Sequence, residues 1–247
     1  MRTPAIIAFL VFLFLGGSAS AQAEEIGVTR QLAEDAGFTP GMVRAASGNE
    51  TGFAIASTGW SGAADKVQVD AYGEVRVYGP LRLVVQVADA FGDAAKPGVG
   101  AGMQLLREGK HGIDGAAYAR YKTEGFSEPE GELELTFAMA RHFGAVHGAL
   151  DLSYGQDPEG NERDGEIATV GQVELSRGLF GGATMRYRDA LGSTKEAIAR
   201  DGFGGATGTY ALGPVALTAM AGVAMVQSVG ATRKFGPAAT LAIGAAF

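Results

Sequence analysis

The chain has 247 residues, a net charge of −7 and no cysteine, so disulfides do not stabilise it and its acidic balance argues against a nucleic-acid partner. Its 39 glycines stand well above the usual share of roughly 7%, which suits a curved sheet with tight turns better than a helical protein.

The chain opens with Arg2, an apolar run from Ala5 to Leu15, and Ala21-Gln22-Ala23. One positive charge, a short apolar core and an A-x-A site together predict a secretory signal peptide over 1–23, with cleavage before Glu24. The run is too short to span a bilayer, and no later stretch approaches the roughly 20 apolar residues of a membrane helix. An exported chain of this kind is periplasmic, secreted or a barrel of the outer membrane. Residues 24–49 are not strand-like. Thr29 and Thr39-Pro40 can start short helices that Gly37 and Gly48 end, which predicts a helical N-terminal extension.

From residue 50 onward, period-two alternation repeats between turn signals. Strand one is expected over 52–58 and strand two over 66–78. In strand two Val67, Val69, Ala71, Gly73, Val75 and Val77 alternate with Gln68, Asp70, Tyr72, Glu74 and Arg76. Gly79-Pro80 turns into strand three (81–90), and strands four to six are expected over 99–106, 113–122 and 132–141. Strand seven (145–154) precedes an acidic loop, 155–165, whose carboxylates read as solvated. Strands eight and nine fall at 166–176 and 182–189, strands ten and eleven at 203–212 and 215–227, the last two joined at Gly213-Pro214.

The closing strand, 238–247, places Leu241, Ile243, Ala245 and Phe247 on one side. A last strand with apolar residues at every second position and a terminal Phe resembles the C-terminal signature of Gram-negative, porin-like outer-membrane β-barrels. The resemblance implies an all-β fold: a transmembrane antiparallel up-and-down barrel of about twelve strands over 50–247, in the outer membrane. It further implies contact with outer-membrane lipid and lipopolysaccharide, and insertion by the barrel-assembly machinery through those four residues. It is tied to no specific family and carries over no site residues.

Two regularities agree with it. Connections after even-numbered strands are short and those after odd-numbered strands longer, as in barrels with periplasmic turns and external loops. Aromatics gather near both ends: Tyr78, Phe143, Phe180 and Phe247 on the periplasmic side, Trp60, Phe91, Phe126, Tyr154, Phe203 and Phe235 on the outer side. They read as two interfacial girdles.

With apolar sides outward, the lumen-lining charges are Asp70, Glu74, Asp114, Glu134, Asp151 and Glu174 against Arg76, Arg82, Arg120, Lys122, Arg186 and Arg188. Six of each sign leave no single-sign field. A twelve-strand cylinder is about 24 Å across at the backbone and leaves at most about 10 Å free. Gly204, Ala206, Gly208, Ala216, Thr218, Met220, Gly222, Ala224, Ala242, Gly244, Ala246, Ala54 and Ala56 are expected to form a smooth inner wall, against which residues 28–46 would lie as a partial plug.

The expected role is a narrow, weakly selective channel for small solutes. The alternatives are a non-conducting structural or surface-interaction barrel and an outer-membrane lipid hydrolase. Catalysis is not expected: His147 and Ser153 share a strand face but sit roughly 20 Å apart. Gly98, Gly100 and Gly102 have no helix after them to hold a phosphate. No cofactor or metal is implied.

Overall fold

The computed structural model describes residues 51–91, 95–125, 128–158, 162–191 and 198–247; the expected signal peptide and helical extension lie outside them, as does Phe126. Twelve strands follow in order: β1 (Gly52–Ser61), β2 (Lys66–Tyr78), β3 (Leu81–Ala88), β4 (Lys96–Leu106), β5 (Asp114–Gly125), β6 (Glu128–Phe143), β7 (Val146–Gln156), β8 (Arg163–Ser176), β9 (Leu179–Ala190), β10 (Ile198–Leu212), β11 (Val215–Ser228) and β12 (Lys234–Ala246). A single helical turn, α1 (Glu108–His111), stands between β4 and β5.

Every strand pairs antiparallel with its sequence neighbours, and β12 returns to β1 with Phe53 opposite Ala246 and Ser61 opposite Ala238. The sheet therefore closes on itself and has no edge. The last residue takes part in the closure: the amides of Thr51 and Gly52 donate to the Phe247 carbonyl at 2.7 and 2.9 Å. Gly79 and Gly213 take φ of +53° and +57° at the first position of two-residue turns, with Pro second. A side chain other than glycine's would be strained there, and proline can follow because no ladder bond is required of it.

At the end opposite the termini, the far end, most strands run longer than the alternation predicts, although β2 begins as expected and β3 stops at Ala88, short of 90. β4 begins at Lys96, β8 at Arg163, β10 at Ile198 and β12 at Lys234, while β5 and β6 approach to within two residues of each other. Alternation reports burial contrast, which fades where both faces are polar. The backbone ladder persists regardless of that contrast.

The apolar side chains look outward. Leu83, Leu135 and Ile243 are 44%, 51% and 41% exposed, whereas Glu74, Arg82 and Arg120 on the opposite faces are 3%, 4% and 3% exposed. A soluble protein has the reverse arrangement. An exposed apolar band around a closed ring, with polar residues inside, matches a barrel in lipid. Trp60, Phe91, Tyr154 and Phe235 stand exposed toward the far end, and Tyr78 and Phe143 toward the near end.

Three inner-face expectations are corrected. In β1, Phe53 pairs with inward Glu74 and Ala246, so Phe53 and Ile55 point in, and Ala54 and Ala56 point out. In β10, Thr209 pairs with inward Thr218, so Thr207 and Thr209 line the lumen while Gly204, Ala206 and Gly208 face outward beside Tyr210 and Leu212. Phe180 and Phe203 also point in and leave the girdles, since Phe180 pairs with Thr209 and Phe203 with Arg186.

Candidate functional site

All twelve charged residues expected in the lumen lie on inward-facing register positions, and cross-strand bonds sort them into two levels. In the far half an arc of charge runs along β5 to β10. Arg120 on β5 donates to Gln86 on β3 at 2.7 Å and to Glu134 on β6, which also takes Lys122. Thr136 and Ser153 join β6 to β7 at 2.8 Å. Beyond them Arg186 on β9 bridges Glu166 at 2.6 Å and Asp201 at 2.5 Å, and Arg188 bridges Asp164 and Asp201, both at 3.0 Å. Asp151, 4% exposed, sits on the inward face of β7 between these groups.

Four carboxylates of this arc were absent from the expected lining. Asp164 and Asp201 fall in expected loops, Glu166 is the first residue of expected strand eight, and Glu132 sits on the inward face of β6 opposite Lys122. The signal for them was parity: Asp164 and Glu166 continue the even positions of Ala168 and Val170, and Asp201 the odd positions of Thr207 and Thr209. Asp164 and Asp201 are reached by extending a strand, not by finding a new one. The acidic loop proper therefore shrinks to the residues around Asp157 and Glu162, where the Asp157 carboxylate accepts the Glu162 amide at 3.2 Å.

The near half is tighter. Glu74 pairs with Arg82 and accepts the hydroxyls of Tyr72 at 2.7 Å and Tyr118 at 3.3 Å. Its side chain and that of Arg82 are 1% and 5% exposed, against 17–26% for Asp164, Glu166, Arg186, Arg188 and Asp201. Water therefore reaches the β8–β10 part of the far arc, and scarcely the near pair or the Arg120–Glu134 pair, whose side chains are 3% and 8% exposed. Beside Glu74, Phe53 and Phe180 pack with Ala211 and Ala216, and Ile55, Tyr72 and Ala246 close over them. Tyr72 also packs against Val84, Tyr118 and their alanine neighbours, so it joins two apolar clusters on opposite arcs of the wall.

The run Gly98, Gly100, Gly102 acquires a structural explanation. These glycines face inward on β4 opposite Lys122, Arg120 and Tyr118. A Cβ on Gly98 would come 2.9 Å from the Gln86 side chain, one on Gly100 2.8 Å from the Arg120 Cα, and one on Gly102 would enter the Tyr118 ring. They are clearance for the side chains that cross the lumen, not a phosphate cradle.

At the near mouth, Asp114 accepts the Glu108 amide at 2.9 Å, and Glu174 accepts the Gly178 amide at 3.3 Å. Asp70 accepts the Gln68 side chain at 2.7 Å and the Asp89 amide at 3.0 Å toward the far end, while Arg76 faces Arg82 across β2 and β3. Glu108, on α1, takes the amide of His142 at 2.8 Å and its ring Nδ1–H at 2.7 Å. Desolvation pushes the Glu108 carboxyl up, but the bonds from His142 outweigh it and hold its pKa below the ordinary value. His142 and His147 lie ring to ring, 4.9 Å apart at the centroids. The Ser153 hydroxyl bonds to Thr136, so the serine and histidines do not assemble into a nucleophile and base.

A closed twelve-strand barrel with an apolar outside and a charged, part-wetted inside has the architecture of outer-membrane porins. Two solved porins share the fold. The NanC porin aligns with a TM-score of 0.55 at 8% identity, covering 78% of this chain and 98% of its own. The KdgM porin aligns at 0.52 and 9% identity, covering 79% and 99%. Identities this low establish a likeness of fold. No family model and no curated protein matches the chain.

Proposed function

We propose that this protein is an outer-membrane channel passing small solutes through the barrel lumen. In this reading the far end is external, the near end periplasmic, and the chain reaches the membrane through an N-terminal export signal. Leu241 and Ile243, exposed on the outside of β12, and Phe247, bonded into the closure, serve with Ala245 as the mark read by the barrel-assembly machinery. Lipid and lipopolysaccharide contact the apolar band. The observation that carries the reading is the charged inner wall of the far half, water-reached along β8 to β10, because a barrel serving only as an anchor gains nothing from burying so many ionised groups.

The passage narrows where Phe53, Phe180, Ile55 and Tyr72 meet, so its conductance is small. That same layer favours a second reading, in which the barrel is non-conducting and its external loops carry its role. The full chain, purified in detergent and inserted into planar bilayers, distinguishes them. Discrete single-channel steps support the channel, and their absence from correctly folded, heat-modifiable protein refutes it. A lipid hydrolase is disfavoured by the separation of Ser153 from the histidines, and alanine replacement of His142 and His147 would leave phospholipid turnover at background.

A further inference from the structure

We infer that the passage prefers cations, and that the carboxylates Asp164, Glu166 and Asp201 set the preference; the inference rests on the channel reading. Below the far rim, in the far half of β5 to β10, six inward carboxylates among the described residues, Glu132, Glu134, Asp151, Asp164, Glu166 and Asp201, face four inward cations, Arg120, Lys122, Arg186 and Arg188. The two halves of the arc have the same composition. Each holds two cations and three carboxylates, so each keeps one uncompensated negative charge.

Nothing on the facing wall cancels that excess. Among the described residues, the inward positions of β11, β12 and β1 carry one charge, Lys234, which is exposed at the far rim. Lys66 and Lys96 lie at the same rim; both are exposed, and Lys66 is already paired with Asp89 at 2.6 Å. Rim charges in bulk solvent are screened within about 8 Å at physiological salt. Asp70 toward the far end and Glu74 deeper in balance Arg76 and Arg82, and Asp114 and Glu174 at the near mouth add to the negative side. No ion need be held at any one place: the carboxylates stay bonded to their arginines, and selectivity comes from the field along a narrow, low-dielectric tube. The Asp164, Glu166 and Asp201 side chains are 17–20% exposed, so a permeating ion passes within reach of them.

The test is the reversal potential of the full chain in planar bilayers under a potassium chloride gradient. A lumen potential of about −1 kT enriches cations and depletes anions enough for a K/Cl permeability ratio of about seven. D164N/D201N leaves the arginines geometrically intact and removes the excess, so the ratio falls to near one; R186Q/R188Q raises it. E132Q lowers the ratio from the other half of the arc without touching the Arg186 and Arg188 pairs. A wild-type ratio at or below one, or a ratio unmoved in both D164N/D201N and E132Q while conductance persists, overturns the inference. Silent bilayers from folded protein overturn the channel reading itself, an outcome distinct from conductance without cation preference.

Discussion

Replacing Arg82 by Met tests whether the near half of the lumen is as dry as its exposures imply. Glu74 sits there with three donors, the Arg82 guanidinium and the hydroxyls of Tyr72 and Tyr118, and its side chain is 1% exposed. Removing the guanidinium takes away the charged donor bonded to this buried carboxylate, and the two phenols are neutral and cannot replace its charge. Breaking one partner out of a buried pair costs about 3–5 kcal/mol, whereas replacing both by apolar residues of similar size is often neutral or better. R82M should therefore lose about 3–5 kcal/mol of unfolding free energy and R82M/E74L should recover most of it. The assay is urea titration in detergent, read by the fluorescence of Trp60, the only tryptophan, and checked by heat-modifiable migration. An R82M loss under about 1 kcal/mol, the range of solvent-exposed pairs, would show that water reaches Glu74 and would refute the two-level picture.

Other consequences are separately measurable. F53A and F180A each remove a ring from the apolar layer and should raise single-channel conductance while costing about 3 kcal/mol of stability. G102V drives a branched side chain into the Tyr118 ring and should cost about 1–3 kcal/mol in the same titration, whereas a valine at Gly204, where a Cβ meets nothing within 4 Å, should cost little. E108Q should destabilise the protein at neutral pH. Because the Glu108 pKa is lowered on folding, its contribution is complete above its ordinary 4.5 and is lost as pH falls through the folded value, so wild type and E108Q should converge below pH 4.5.

Much of the fold was legible because lipid enforces a strong contrast on strands such as β2, where Val67, Val75 and Val77 face hydrocarbon and Asp70 and Glu74 face the lumen. The number of strands, their pairing and the closure follow from that contrast and from turn residues such as Gly79-Pro80 and Gly213-Pro214. It failed at strand ends. Past the apolar band nothing distinguishes a paired strand from a loop, so Asp164 and Asp201 read as loop residues although both stand in ladders opposite Ala190 and Arg188.

The inner face was less legible for a different reason: a lumen tolerates apolar residues wherever they touch one another, while the lipid face does not tolerate charge. Polarity thus identifies inward positions in only one direction. Ala54 and Ala56, smaller than Phe53 and Ile55, are the residues expected inside, yet Phe53 and Phe180 share one buried apolar cluster within the barrel. Ser57 and Ser61 in the same strand share the parity of Phe53, and an outward Phe53 would carry their hydroxyls into lipid. In β10 the same test works from Asp201, Thr207 and Thr209, which fix the inward parity even though small residues on both faces conceal it. A barrel wall is therefore better read from its least lipid-compatible residue than from its most hydrophobic one. By that criterion the carboxylates of β8 and β10 belong to the lumen, and an expected balance of six against six becomes an acidic excess.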